Sequence, residues 1–254
     1  SVVGAPTYKG LASERPHELG LVPRACQQVF ADIAEAKERV KVLCTYVEVY
    51  NDRINDLIGG ERGLKLLEGA RGLAIENLVH TPVETPDDVL ALVWKGNQNR
   101  TVAAMHMNSR SSRGHAVIQL IITDTGPSGE WALTLDRLGV SSAKGRVRRL
   151  TFVDLAGTES SKKSYAAEGA SNAPKRREEA KHINVSLAAM GKVISAIVKQ
   201  QSHVPYRDSK LTRLLQDTLA GGKTKAAIFI MLRTEANNVE ETIGTLRFAQ
   251  RTKA

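Results

Sequence analysis

A chain of 254 residues, 42% of them of hydrophobic type, is long enough for one sizeable core, and no run in it approaches the uninterrupted apolar length of a membrane-spanning helix. Its net charge of +9 is concentrated: between Lys144 and Arg213 about 15 lysines and arginines stand against about 6 carboxylates, so the remainder is close to neutral. A basic excess confined to one region points to a face made for an acidic partner, with a solvated basic loop as the plain alternative, and composition does not choose between them.

The start, Ser1-Val2-Val3-Gly4, has neither a charged lead nor a long apolar run, which argues against a signal peptide; it also lacks an initiator Met, as expected of a fragment. Pro23 to Lys37 carries apolar residues at helical spacing, with Pro23 near the first turn. Val42 to Tyr50 (VLCTYVEVY) is β-rich and predicts a strand. Cys26 in the helix pattern and Cys44 in the strand pattern favour two buried free thiols over a disulfide, in keeping with a reducing, intracellular setting. Pro86-Asp87-Asp88 opens a second helix running toward Asn97, and Ala116 to Thr123 and Arg149 to Leu155 read as further strands, the latter apolar enough to be covered on both faces.

Glu178 to Gln200 predicts a long helix whose apolar positions Ile183, Leu187, Met190, Ile194 and Ile197 follow 3–4 spacing. Asp208 to Leu219 predicts a shorter helix and Ala226 to Leu232 (AAIFIML) a buried strand. Asn238 to Thr252 predicts a closing helix with Val239, Ile243, Leu246 and Phe248 as its buried set. Thr125 to Gly145 and Ser160 to Pro174 read as loops. Strands alternating with helices, with no repeat and no long linker, predict one α/β three-layer domain with a central sheet flanked by helices.

Four segments carry candidate chemistry. Asn108-Ser109-Arg110-Ser111-Ser112-Arg113-Gly114-His115 packs hydroxyls, an amide and guanidinium groups before a strand; hydroxyls ligate Mg²⁺ or position water, and a guanidinium pairs with phosphate or carboxylate. Alone it is as well explained by a polar turn. Val153-Asp154-Leu155-Ala156-Gly157-Thr158-Glu159 ends an apolar strand in Asp and then Gly, the form of an element whose Asp holds Mg²⁺ and whose Gly N–H reaches a γ-phosphate. The others are Ile183-Asn184-Val185-Ser186-Leu187 on the long helix, and the run His203-Val204-Pro205-Tyr206-Arg207-Asp208-Ser209-Lys210-Leu211-Thr212-Arg213-Leu214-Leu215-Gln216-Asp217.

In this order the four closely resemble the kinesin motor family, whose corresponding elements read N-x-x-S-S-R-S-H, D-L-A-G-S-E, I-N-K-S-L and H-V-P-Y-R-D-S-K-L-T-R-L-L-Q-D. Gly20 to Ala25, Tyr46 to Asp52 and Thr245 to Ala249 resemble further family segments, so the likeness runs nearly end to end. The resemblance implies a P-loop-NTPase-like α/β fold with a mixed sheet over residues 1–254, lacking the family's N-terminal strands, and ATP and Mg²⁺ as cofactors. It implies that Ser112 ligates Mg²⁺, Asp154 holds it through water, Ser111 places the attacking water, Asn108 contacts the nucleotide side and Gly157 senses the γ-phosphate. Arg113 and Glu159 would pair as a latch between the two switches, an ordinary surface ion pair being the alternative. Lys175, Arg176, Arg177, His203, Arg207, Lys210 and Arg213 would face tubulin, although solvation alone accounts for several cations of such a set.

The resemblance is incomplete at the phosphate cradle. No G-x-x-x-x-G-K-[ST] string occurs. Gly4-Ala5-Pro6-Thr7-Tyr8 is similar to the end of the family's G-K-T-Y, with Pro6 at the Lys position, supplying neither charge nor N–H, while Thr7 keeps the Mg²⁺-binding hydroxyl. Gly221-Gly222-Lys223-Thr224 leads toward a predicted strand rather than a helix and reads as a turn. Gly114 and Val185 replace the family's Ser and Lys, Thr158 its Ser, and Glu130 to Gly145 and Ser160 to Lys175 are longer than the family's counterparts. Two classes of function therefore stand: an ATP-driven microtubule motor whose cradle comes from an upstream part, and a non-catalytic microtubule-associated scaffold. Both imply a cytoplasmic, cytoskeletal location and no membrane partner, and any oligomeric partner chain would be engaged through regions outside this segment, such as a coiled coil. Nucleic-acid binding is disfavoured because aromatics are only 4% and no reader motif occurs.

Overall fold

The computed structural model describes residues 19–35, 40–69, 72–106, 114–124, 147–157, 173–220, 225–232 and 239–252, with the backbone alone for 101–106, 124, 173–180, 240–241 and 251–252. The chain divides into two compact units, one holding residues up to Glu48 with Ile54–Ser111 and Ala116–Asp154, the other Val49–Arg53, Ser112–His115 and Leu155–Ala254.

The first unit is organised by strand β1 (Val40–Tyr50), buried without interruption from Val42 to Val49. Apolar and β-branched side chains on both faces produce such a run, and they place the strand inside the sheet. The sheet order is β3 (Arg62–Leu64), β2 (Arg53–Asp56), β1, β7 (His115–Asp124), β8 (Val147–Asp154), and β6 (Thr81–Val83) pairs antiparallel with Val42–Cys44 of β1. Strands β4 (Leu66–Gly69) and β5 (Gly72–Ile75) form a separate hairpin. Between β1 and β2 the chain reverses through Asn51 and Asp52, both at positive φ (50° and 53°), as a two-residue hairpin turn requires. Strands β7 and β8 pair antiparallel from Ala116↔Asp154 to Thr123↔Val147.

Helix α1 (Leu21–Glu35) buries Val22, Pro23 and Cys26, and Ala25, Phe30 and Ile33 continue that face against the core at helical spacing. Helix α2 (Pro86–His106) runs about two turns beyond Asn97. Thr85 is its cap: the Asp88 N–H donates to Thr85 Oγ1 (3.2 Å), and the Asp88 carboxylate accepts from the Thr85 and Glu84 N–H groups (2.9 and 3.0 Å). Those backbone donors, chiefly that of Glu84, hold the Asp88 carboxyl below its ordinary range. Further along, α2 seats its backbone on β1: a Cβ on Gly96 would overlap the Tyr46 ring. Tyr46 Oη donates to Asn97 Oδ1 (2.7 Å), Asn99 Nδ2 donates to the Leu57 carbonyl (2.8 Å), and Arg100 Nε pairs with Glu48 Oε1 (2.9 Å). Burial pushes the Tyr46 phenol up to about 12. After β2, the buried Asp56 carboxylate accepts from the N–H groups of Ile58 (2.8 Å), Gly59 (3.0 Å) and Val79 (3.0 Å) and closes the loop between them.

The second unit is built on helix α3 (Ala173–Val198), which begins earlier than the apolar pattern predicts. Its most buried residues are Ser186, Ala189, Met190, Val193 and Ala196, whereas Ile183, Leu187, Ile194 and Ile197 flank that stripe half-buried. Beside this stripe, Gly191 lies against the Phe248 ring of the last helix, α6 (Val239–Thr252). On α6 the expected buried set is corrected. Val239, Ile243 and Leu246 are exposed, and Thr242, Thr245, Phe248 and Ala249 are half-buried, because α3 takes the face carrying Phe248. The expected single helix over Asp208 to Leu219 is instead a 3₁₀ turn (Tyr206–Asp208) followed by α4 (Lys210–Leu214) and α5 (Gln216–Ala220), broken where Ser209 takes an extended conformation to cap α4. Ala226 to Leu232 forms no ladder with any described strand, and Phe229 and Met231 are 65% and 76% exposed. A β-rich sequence becomes a strand only where an edge accepts its hydrogen bonds. Among the described residues no helix is long and apolar enough to cross a membrane. The expected loop over Thr125 to Gly145 and the turn at Gly221 to Thr224 lie outside the described residues, as does all but the end of Ser160 to Pro174.

Two outcomes follow from this packing. Gly96→Ala should lower stability by about 1–3 kcal/mol through overlap with Tyr46, while Gly244→Ala, with open space around the new methyl, should raise it by about 0.5–1 kcal/mol; urea denaturation separates the two. Cys26 and Cys44 are free and buried, and burial raises them from 9.0 to about 11 and about 12. The folded chain should resist thiol reagents at pH 8 that label it in denaturant. Because the unfolded thiols ionise first, their contribution to stability is complete below pH 9 and declines as pH rises toward 11–12.

Candidate functional site

Strand β8 delivers Asp154 to its end, half-buried, and the chain then leaves the sheet as Leu155-Ala156-Gly157. The expected roles of Asp154 and Gly157 depend on this strand-to-loop transition. Ala156 is buried, and its N–H donates to Nδ1 of His115 (3.0 Å). An amide N–H can only donate, so Nδ1 is the acceptor nitrogen and the neutral ring carries its proton on Nε2. Nε2 lies 2.7 Å from Ser186 Oγ on α3, and Ser186 Oγ donates to the Ile183 carbonyl (2.8 Å). His115 and Ser186 are 2% and 7% exposed, so each link satisfies a group that water does not reach.

Of the expected Mg²⁺ and nucleotide ligands, Asp154 and Gly157 are described; Thr7, Asn108, Ser111, Ser112, Arg113 and Glu159 lie outside the described residues, and with them the Arg113–Glu159 latch. No group of three or more His, Cys, Asp or Glu suited to a metal occurs among the described residues. A single carboxylate at a strand end suits a nucleotide-borne Mg²⁺, which keeps several waters and takes its other ligands from phosphates and one or two protein groups.

The segment His203–Asp217 forms the second part. Ser209 caps α4: its Oγ accepts from the Thr212 N–H (3.1 Å), and Thr212 Oγ1 accepts from the Ser209 N–H (3.2 Å). The Thr212 hydroxyl, fully buried, lies 2.7 Å from the Tyr206 carbonyl and ties the 3₁₀ turn to the helix. Asp52, at the tip of the β1–β2 turn, accepts from the Lys210 N–H (2.9 Å) and fastens the same helix start from outside. On this frame His203 and Arg207 are exposed and Lys210 and Arg213 half-buried. Lys192 of α3 reaches Asp208 (3.2 Å) in an exposed pair of little energetic weight.

Lys175, Arg176 and Arg177 lie in the first turns of α3, which has no acidic residue in its first turn. Sequence reasoning passed over His115, Ser186, Asp52 and the Ser209–Thr212 pair as structural groups. Only the last had a legible signal, a hydroxyl residue three positions before another at a helix start.

A family model described as the kinesin motor domain matches residues 7–254. The chain is 36% identical over 248 residues to Kinesin-related protein 5 of Dictyostelium discoideum, covering 95% of this chain and 23% of that protein. It is 37% identical over 244 residues to Kinesin-like protein cut7 of Schizosaccharomyces pombe, covering 92% and 22%. It thus spans less than a quarter of the length of these relatives. A solved structure described as that of a fast kinesin, with implications for ATPase mechanism and interactions with microtubules, superposes with a TM-score of 0.76 at 32% identity, covering all of this chain and 66% of that one. The α/β fold with a mixed sheet and flanking helices is therefore shown, and the chain belongs to the kinesin motor domain family.

Proposed function

We propose that the chain is a microtubule-binding segment of a kinesin motor domain, engaging tubulin through the surface that presents Arg207 and Lys210. The observation that carries this reading is the construction of that surface. The Ser209–Thr212 box, the Thr212–Tyr206 link and the Asp52–Lys210 contact hold a short, otherwise marginal helix in one setting, which limits the ordering cost of binding. His203, Arg213 and the basic start of α3 at Lys175, Arg176 and Arg177 extend the same function, and the site of action is the cytoplasmic microtubule cytoskeleton.

ATP and Mg²⁺ belong to this reading through Asp154 and Gly157, with Ser111, Ser112, Asn108, Arg113, Thr7 and Glu159 in the roles the family implies. When bound, Mg²⁺ neutralises the phosphate charge that develops during transfer. The chain's own contribution is a carboxylate at a strand end and a glycine whose amide follows a clamped residue. Pro6, standing where the cradle's lysine belongs, argues that these 254 residues alone do not turn over ATP, and that movement requires a polypeptide that also furnishes the cradle. A non-catalytic microtubule-associated scaffold is the second reading. It is favoured by Pro6 and by Val185, a 47% exposed apolar residue in the switch-helix motif where the family carries lysine.

Joint Arg207→Ala and Lys210→Ala substitution should weaken co-sedimentation with microtubules roughly tenfold, with the loss shrinking as salt rises. Unchanged binding of the double variant would remove this surface from the interface. Microtubules should not raise phosphate release by the 254-residue chain above background, and a clear stimulation would overturn the assignment of Pro6.

A further inference from the structure

The motif residues His115 and Ser186 have no part in the roles assigned so far, yet they meet in a buried polar cluster of the second unit. Three hydrogen bonds run in one direction: Ala156 N–H to Nδ1, Nε2–H to Ser186 Oγ, and Ser186 O–H to the Ile183 carbonyl. The direction has only one consistent form. The amide cannot accept, the Ile183 carbonyl cannot donate, and the imidazole and hydroxyl between them each receive one proton and give one. Reversing any link leaves a buried group unsatisfied at a cost of about 1–3 kcal/mol. The ring is rigid, so Ala156 N and Ser186 Oγ are held at opposite ends of one plane.

We propose that His115 is a positioning residue that couples the Leu155–Ala156 peptide, directly ahead of Gly157, to helix α3 through Ser186. Its imidazole clamps the amide immediately before Gly157, the glycine assigned to the γ-phosphate. Through Ser186 and the back-bond to Ile183, it fixes that amide relative to the helix that bears Lys175, Arg176 and Arg177 and packs on the 3₁₀ turn and α4. A shift of the Gly157 loop then either drags Ser186 or breaks a buried hydrogen bond. The mechanical coupling stands on this geometry alone; its use in nucleotide and microtubule binding rests on the proposed function above.

The test substitutes the helix and observes the loop. In the 254-residue chain, Ser186→Ala should speed hydrogen exchange at the Ala156 and Gly157 amides about tenfold, leave the amides of Leu43 and Tyr46 in β1 unchanged, and be rescued by Ser186→Thr. In the parent chain, imidazole ¹⁵N spectra should show His115 protonated at Nε2. Wild-type exchange at both loop amides in Ser186→Ala, equal acceleration of every amide, failure of Thr to rescue, or an Nδ1-protonated ring would each overturn the proposal. Should Ser186→Ala not fold, His115→Gln, which keeps a donor toward Ser186 but presents no ring acceptor to Ala156, is read at the same two amides with the same expectation. A microtubule co-sedimentation arm separates the two ideas. A parent chain that does not bind defeats the proposed function, while the exchange and tautomer results still decide the coupling.

Discussion

A strand buried along eight consecutive residues leaves no polar group near it without an obligation, and β1 imposes that condition on the first unit. Thr45 and Glu48 lie inside the buried run. Glu48 is held there by Arg100, and losing one partner of such a pair strands the other charge at a cost of about 3–5 kcal/mol. Arg100 can reach it because α2 comes down onto β1 at Gly96, where any side chain would strike Tyr46. Asn97 and Asn99 then serve the Tyr46 hydroxyl and the Leu57 carbonyl. The Gly-Asn-Gln-Asn-Arg stretch of α2 is thus a polar docking face, which explains why a helix against a core carries so few apolar residues there.

The same economy recurs wherever the chain leaves regular structure. Asp56 collects three backbone N–H groups across a loop, Thr85 and Asp88 close the start of α2, and Ser209 with Thr212 close the start of α4. Each device uses short side chains to satisfy donors that a turn exposes. His115 extends the pattern from turns to a helix, meeting an amide with one nitrogen and a helix hydroxyl with the other. Rigid polar nodes of this kind hold a loop in a single register.

Charge is arranged by a different logic. The core pair Arg100–Glu48 is nearly enclosed, at 11% and 10% side-chain exposure, whereas Lys192–Asp208 is open to solvent at 66% and 40%. The first belongs to the architecture; the second contributes little and leaves the surrounding surface basic.

Much was legible in the residues themselves. The motifs from Asn108 to His115, Val153 to Glu159 and His203 to Asp217 pointed to the family, because each combines residue types whose chemistry is specific at short range. Strands β1, β7 and β8 and helices α1, α2, α3 and α6 followed from local periodicity, which the backbone geometry of each element imposes on its own sequence. Tertiary structure alone decided which faces are used. The buried stripe of α3 runs through Ser186, Ala189, Met190, Val193 and Ala196, and α6 turns Ile243 and Leu246 outward since α3 takes the face carrying Phe248. Ser209 splits an expected helix because its side chain and that of Thr212 satisfy each other's N–H groups, and Ala226 to Leu232 pairs with no described strand because pairing belongs to two segments and not to one. The meeting of Ala156, His115 and Ser186, separated by 41 and 71 positions in the chain, had no local signature, since contacts at that range arise only once the elements are packed.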